Sequence, residues 1–159
     1  RKLYALGSSG NLYRLDAGGG RYTATNLGML SASLTGSSFG FDFNPTVDRL
    51  RVVSDANQNL RINTNTMPPG TIVDGALTLN GMTQFDLLAV AYTNSRPGVT
   101  STMLFGLDAR TGGLVRSTNA NAGTYVNTNP MGMAYQSLGL ALDNSQAIGF
   151  DISGGTGLG

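Results

Sequence analysis

The chain has 159 residues with ten basic and nine acidic side chains, which gives a net charge of +1. It contains no histidine, cysteine, tryptophan or glutamate, and these absences exclude histidine-based nucleophilic triads, the usual His/Cys zinc sites and thiol chemistry. The arginines are dispersed along the chain rather than clustered, so we expect no nucleic-acid partner, and no motif indicates a cofactor.

The composition favours a β-rich protein outside the cytoplasm. Only 12% of the residues are charged, whereas glycine supplies 23 positions. Glycine, asparagine and serine are the residues that tight turns require. The longest apolar runs, such as residues 85–91, are too short to cross a bilayer. We therefore expect a periplasmic or extracellular protein without a transmembrane segment.

Three passages of the chain predict β-hairpins. Residues 3–16, 50–63 and 103–117 each contain two short runs of alternating apolar side chains, separated by a turn rich in Gly or Asn. This pattern is typical of paired antiparallel strands. Each hairpin is followed by two further strand-like runs. These runs are residues 22–27 and 39–45, then 71–77 and 88–94, then 124–127 and 147–152.

The repetition predicts an all-β fold of β-propeller type. The spacing of about fifty residues, with four strands per period, is that of a propeller blade. We therefore predict a single domain over residues 1–159, with approximate repeat units 3–48, 49–100 and 101–153. Three blades are too few to close a ring, so the chain is expected to be part of a larger propeller. A β-sandwich or a β-solenoid remains the alternative.

The central part of the chain resembles a known family. Residues 39–54, FGFDFNPTVDRLRVVS, together with 57–63, NQNLRIN, and 91–95, AYTNS, resemble the signature of the bacterial domain DUF4394. The passages 3–7, 11–13, 74–77 and 149–152 fit the same family in order. The resemblance implies an exported or envelope-associated protein with propeller-like repeats, and it implies no catalytic residue.

The main candidate site is a group of polar residues around the Phe-Asp-Phe-Asn-Pro strand. A carboxylate in this strand is expected to pair with a nearby arginine or to cap a loop. The alternative is a polar site near the propeller axis, where inner strands line a channel. Asp151 stands in a similar Gly-Phe-Asp passage of the third unit. The candidate residues are Asp42, Asn44, Asp48, Arg49, Arg51 and Asp151.

A weaker candidate is a calcium site at the turn of the second hairpin. Asp55, Asn57 and Asn59 offer alternating oxygen ligands. The loop lacks the glycine and the bidentate acidic residue of an EF-hand. A looser surface site is therefore the only calcium hypothesis that the sequence leaves open.

These observations predict a non-catalytic binding or scaffold module with a protein partner, for example as an accessory subunit of an envelope or membrane-associated complex. The broad rim of a propeller suits such a role. Two alternatives remain open. One is a polysaccharide hydrolase or lyase that uses aspartates, and the other is a calcium-stabilised adhesive element.

Overall fold

The computed structural model describes residues 2–128, 137–143, 145 and 148–154, and every regular element within them is a β-strand. This confirms the all-β prediction. In the same residues there is no helix long and apolar enough to cross a membrane. The strands are β1 (Leu3–Leu6), β2 (Asn11–Gly18), β3 (Arg21–Met29), β4 (Phe39–Asn44), β5 (Arg49–Ser54), β6 (Asn59–Asn63), β7 (Gly70–Val73), β8 (Thr78–Leu79), β9 (Leu87–Tyr92), β10 (Leu104–Asp108), β11 (Gly113–Asn119) and β12 (Thr124–Asn127).

The strands form three sheets, none of which closes on itself. Sheet one has the order β1-β2-β3, sheet two β4-β5-β6-β7, and sheet three β8-β12-β11-β10-β9. Neighbours are antiparallel except β8, which runs parallel to β12. The three predicted hairpins are confirmed as the pairs β1–β2, β5–β6 and β10–β11.

The sheets are offset by one strand from the sequence repeats. The strand that follows each of the first two predicted units pairs with the next hairpin, β4 with β5 and β9 with β10. Only sheet two therefore has the expected four strands. Sheet one has no counterpart of β4 among the described residues, and sheet three gains β8.

The predicted strand over residues 147–152 is not found in the part of it that the structure describes. Residues 148–152 form no strand, and residue 147 lies outside the described residues. Their backbone hydrogen bonds are not made within any of the three sheets. The Gly-Phe-Asp passage is thus present without the pairing that β4 has.

The same turn recurs in all three hairpins. Its last residue has a positive φ, which glycine and asparagine tolerate best, and its carbonyl accepts a backbone N–H from a leucine in the segment that leaves the sheet. The three bonds run from Leu30 to Gly10 (2.9 Å), from Leu77 to Asn57 (3.1 Å) and from Leu138 to Gly112 (2.9 Å). We call these three bonds the turn clasps.

Alternation along β5 places side chains in two different cores. Leu50 and Val52 point to a core shared with sheet one, whereas Val53 belongs to a core shared with sheet three. Successive side chains of a strand point to opposite faces, so sheet two lies between the two cores. Arg51 shares the face of Val53.

The first strands of sheets two and three pack closely against each other. A Cβ atom at Gly40 in β4 would lie 2.6 Å from Cα of Ala89 in β9. Such a separation excludes any side chain, so this approach of β4 to β9 requires glycine. The polar residues of β4 are consequently held against the backbone of β9.

Candidate functional site

The most deeply buried charge of the described residues is Arg51, of which 2% is exposed. Its guanidinium donates to Asp74 Oδ2 (2.6 Å), Asn59 Oδ1 (2.7 Å) and Asn121 Oδ1 (2.8 Å), and its Nε lies 3.5 Å from the hydroxyl of Tyr92. These residues form the Arg51 cluster. Its members come from sheets two and three and from the segments beside them.

The partners of Arg51 are themselves held by further bonds. Asn59 donates to the carbonyl oxygens of Gly75 (3.0 Å) and Ala120 (2.9 Å). Asp74 also accepts two bonds from Arg61, at 2.7 and 2.9 Å. A buried charge is tolerated when it is paired and fully hydrogen bonded. The Arg51 cluster therefore joins sheet two to sheet three.

Tyr125 packs within the core that adjoins this cluster. Burial raises the pKa of its hydroxyl far above the usual value, and the neighbouring Tyr92 adds to the rise while Arg51 opposes it. Tyr125 consequently stays neutral at physiological pH. It acts as a core residue that packs against the ring of Phe85, with ring centroids 5.4 Å apart.

Arg51 occupies a position that is aromatic in the other two sheets. The hairpin registers and the turn clasps align Arg51 with Tyr4 in sheet one and with Phe105 in sheet three. The sequence identified Arg51 as polar and noteworthy, but it gave no signal for its partners. Asp74 and Asn121 lie 23 and 70 positions further along the chain.

Asp42 connects the first strands of sheets two and three. Its Oδ1 accepts the backbone N–H of Phe43 and its Oδ2 that of Tyr92, both at 2.7 Å. Asp42 and Arg51 are cross-strand partners in the register of β4 and β5, while the ion pairs of Arg51 go to Asp74.

Asp151 repeats the local part of this geometry. Its Oδ1 accepts the backbone N–H of Ile152 at 2.8 Å, as Asp42 does from the residue that follows it. Asp151 is exposed and lies outside any strand. The structure does not bring it into the cavity that Asp42 lines.

Three of the predicted site residues meet in an open cavity of about 510 Å³ at the end of β4, which we call the β4 cavity. Asp42, Asn44 and Asp48 line it. Asn44 accepts bonds from the N–H and hydroxyl of Thr46, and Asp48 accepts one from Asn65 at 3.2 Å. The volume is within the range of small-molecule pockets.

The rest of the lining combines cations with aromatic rings. Lys2 and Arg96 face the β4 cavity, and in the described part of the chain neither forms an ion pair with a carboxylate. Tyr4 and Phe43 form one wall, with ring centroids 5.0 Å apart. Arg49 is not part of this lining; its guanidinium donates to the carbonyls of Val47 and Asp48. Sequence reasoning missed Lys2 and Arg96 because they belong to other segments.

The residues of the calcium hypothesis bind three different neighbours. Asp55 accepts bonds from the Ser37 N–H (2.9 Å), the Ser37 hydroxyl (2.6 Å) and the Ser38 N–H (3.3 Å). Asn57 donates to Thr83 O, and its Oδ1 is buried without a partner among the described residues. Asn59 belongs to the Arg51 cluster. The search of the described residues finds no group of three acidic, His or Cys side chains that could hold a metal.

Two aspartates near the turns titrate in opposite directions. Burial alone would raise the pKa of Asp55, but the bonds from Ser37 and Ser38 outweigh it and hold the pKa below its usual value. Burial raises the pKa of Asp86, the carboxylates of Asp108 and Asp55 raise it further, and Arg110 opposes them. Asp108 is buried and accepts the N–H of Asp86 at 3.2 Å. It also binds the hydroxyl of Thr111.

These contacts define the chain as an all-β repeat protein whose buried charges hold sheets and turns together. Over residues 1–158 it matches the family model described as Domain of unknown function (DUF4394), and the chain belongs to this family. No curated protein and no solved structure gives a significant match. The family resemblance inferred from residues 39–54 is therefore confirmed.

Proposed function

We propose that the chain is a non-catalytic binding or scaffold module outside the cytoplasm. The observation that carries the proposal is the use of its buried charges. Arg51, Asp74 and Asp108 all spend their polar atoms on bonds that fix sheets and turns. The groups that remain open to a ligand line the β4 cavity, whose mixture of charges, amides and aromatic rings suits recognition.

The proposal includes a β-propeller arrangement, with the three sheets as consecutive blades of a larger ring. Two observations support it. The turn clasps repeat in each hairpin, and β4 packs side by side with β9, as inner strands of neighbouring blades do. In this arrangement β4 and β9 line the axis, and the β4 cavity opens at one end of it.

The β4 cavity is proposed as the contact surface for a partner protein, in an envelope or membrane-associated complex. Lys2 and Arg96 supply positive charge without an internal ion pair, so an acidic segment is the group that fits beside them. Tyr4 and Phe43 supply apolar surface next to this charge. Aromatic residues with arginine are frequent at the centres of protein interfaces.

The test is to titrate short acidic peptides that contain one aromatic residue against the protein and to follow its backbone amides by NMR. We expect shifts at residues 42–48 and 95–97, and a loss of at least about tenfold in affinity in Arg96→Ala. Arg21→Ala is the matched control, because Arg21 is an exposed arginine on β3. Shifts confined to other surfaces would contradict the proposal.

The second candidate is an aspartate-dependent polysaccharide hydrolase or lyase. Asp42 and Asp48 line the same cavity, and glycosidases use paired carboxylates. The test is release of reducing ends or unsaturated sugars from a panel of polysaccharides by the wild type, Asp42→Asn and Asp48→Asn. Turnover that both variants lose would establish this candidate, whereas no turnover by the wild type removes it.

Location outside the cytoplasm is tested separately. The native protein is expressed in its own bacterial host and its cells are fractionated, with antibodies against the protein as the readout. We expect it in the periplasmic, envelope or secreted fraction. Recovery from the cytoplasmic fraction alone would contradict this part of the proposal.

A further inference from the structure

The outer edge of β1 has hydrogen-bonding groups that the equivalent strands use. The bond from Gly7 N to Asn11 O fixes the phase of the β1–β2 ladder. In an antiparallel ladder the bonded pairs alternate, so the N–H and C=O groups of Tyr4 and Leu6 point away from β2. Within the described residues, β1 has no strand on that side.

In sheets two and three this same edge is covered. The bond from Asp55 N to Ser38 O gives the phase of β4 against β5, and it directs the N–H groups of Arg51 and Val53 to β4. By the hairpin alignment, these two residues correspond to Tyr4 and Leu6. Phe105 and Leu107 bind β9 in the same way. The edge of β1 is therefore built for one more antiparallel strand.

We infer that this edge of β1 binds the segment Ile148–Ile152 of a second copy of the chain. The segment contains Gly149-Phe150-Asp151, which repeats the Gly40-Phe41-Asp42 of β4. It lies in no sheet, and Asp151 already makes the bond to the following N–H that Asp42 makes in β4. The segment thus has the sequence and local geometry of a first strand and lacks only its partner.

The register follows from sheet two, where Gly40 faces Val53 and Asp42 faces Arg51. Transferred to β1, the pairs are Gly149 with Leu6, Phe150 with Ala5, Asp151 with Tyr4 and Ile152 with Leu3. Leu3 is 58% exposed in the single chain, and an exposed apolar edge strand is a site for strand addition.

The donor is a second copy because three sheets cannot bring the end of a chain back to its own first sheet. Closed propellers have four or more blades, and two chains of three sheets give six. This step rests on the proposed propeller arrangement. The pairing with β1 rests only on the hairpin alignment.

The first test is the sedimentation of wild type and Gly149→Val over a roughly hundredfold range of concentration. A Cβ at Gly149 meets nothing within 4 Å in the single chain, so the variant keeps its fold. In the position of Gly40 a side chain would collide with the neighbouring strand. We expect a dimer for wild type and for the control Ser145→Val, and a monomer for Gly149→Val. A monomeric wild type would overturn the second copy as donor.

The second test adds a peptide of residues 146–153 to the Gly149→Val monomer and measures amide hydrogen exchange. We expect slower exchange at Tyr4 and Leu6 and no change at Leu3 and Ala5, whose N–H groups already face β2. N-methylation of the peptide at Gly149 or Asp151 should weaken binding about tenfold, because it removes a ladder bond. N-methylation at Phe150, whose N–H faces away, is the matched control.

Unchanged exchange at Tyr4 and Leu6 would overturn the pairing itself. Arg96→Ala separates this inference from the proposed function, because Arg96 lines the β4 cavity and lies outside the proposed ladder. We expect that variant to remain dimeric while it loses peptide affinity at the cavity. A dimer lost in Arg96→Ala and kept in Gly149→Val would overturn the assigned interface.

Discussion

The two interfaces of sheet two are built differently. The interface with sheet one is apolar at its centre, where Leu12, Leu50 and Leu60 are fully buried. Its polar contacts lie at the rim, where Asp55 binds the Ser37–Ser38 turn and Gln58 binds Thr35 and Ser33. The interface with sheet three also has an apolar core, but the buried Arg51 cluster lies beside it.

The difference shows that neighbouring sheets of one repeat protein can be joined by unlike physical means. An apolar interface tolerates small shifts because dispersion and burial are not directional. The Arg51 cluster requires one alignment, because each of its bonds has its own geometry. We therefore expect sheets two and three to be held in a fixed orientation and the first interface to be more adaptable.

The largest expected effect is that of Arg51→Met, which keeps the volume and removes the charge. The variant leaves the buried Asp74, Asn59 and Asn121 without their shared donor, and we expect a loss of about 4 kcal/mol in the free energy of unfolding. Urea denaturation followed by circular dichroism measures it. A loss below about 1 kcal/mol, the value of an exposed ion pair, would contradict the structural role of the cluster.

Leu12→Ala probes the centre of the other interface. Leu12 is fully buried in the core between sheets one and two, and we expect a loss of about 3 kcal/mol from lost burial and the cavity that remains. The double variant with Arg51→Met tests whether the interfaces act separately. Additive losses are expected, since the two sites share no partner; strong coupling would mean that they fold as one unit.

Asp55→Asn probes the rim. The pKa of Asp55 is lowered in the folded state, so its stabilisation is present above the unfolded pKa of about 3.9 and is lost as pH falls through the folded value. We expect the variant to be about 1 kcal/mol less stable at pH 7 and the gap to close below about pH 3. Chemical denaturation at both pH values measures it, and a gap that persists at the lower pH would refute this assignment.

The smallest expected effect is that of calcium removal. Asp55, Asn57 and Asn59 bind separate neighbours, so we expect EDTA to leave the melting temperature unchanged. A differential scanning measurement with and without added CaCl₂ tests this. A calcium-dependent rise in the wild type that is absent in Asp55→Asn would restore the adhesive-element hypothesis.

Local patterns predicted the strands better than their partners. The alternation in residues 50–63 and the turn residue Asn57 identified β5 and β6, because both signals act over a few residues. The pairing of β4 with β5 instead of with the preceding unit could not be read from spacing. The short connection at Asp48, where φ is positive, decides it.

The candidate site was predicted in part for the same reason. Asp42, Asn44 and Asp48 are neighbours in sequence and reach one cavity, whereas Lys2 and Arg96 arrive there through the fold. Arg51 was grouped with Asp42 because they are close in the chain. The alternation of β5 turns its side chain toward sheet three, and Asp74 and Asn121 receive it there.

The turn clasps also determine how the chain would carry a mechanical load. Each clasp ties the hairpin turn of a sheet to the segment that runs on towards the next one. A force applied to the two termini would reach the sheets in series, and each clasp must break before the segment behind it can extend. The chain would then lengthen in separate steps, with the sheet pair locked by Arg51 as the last to yield.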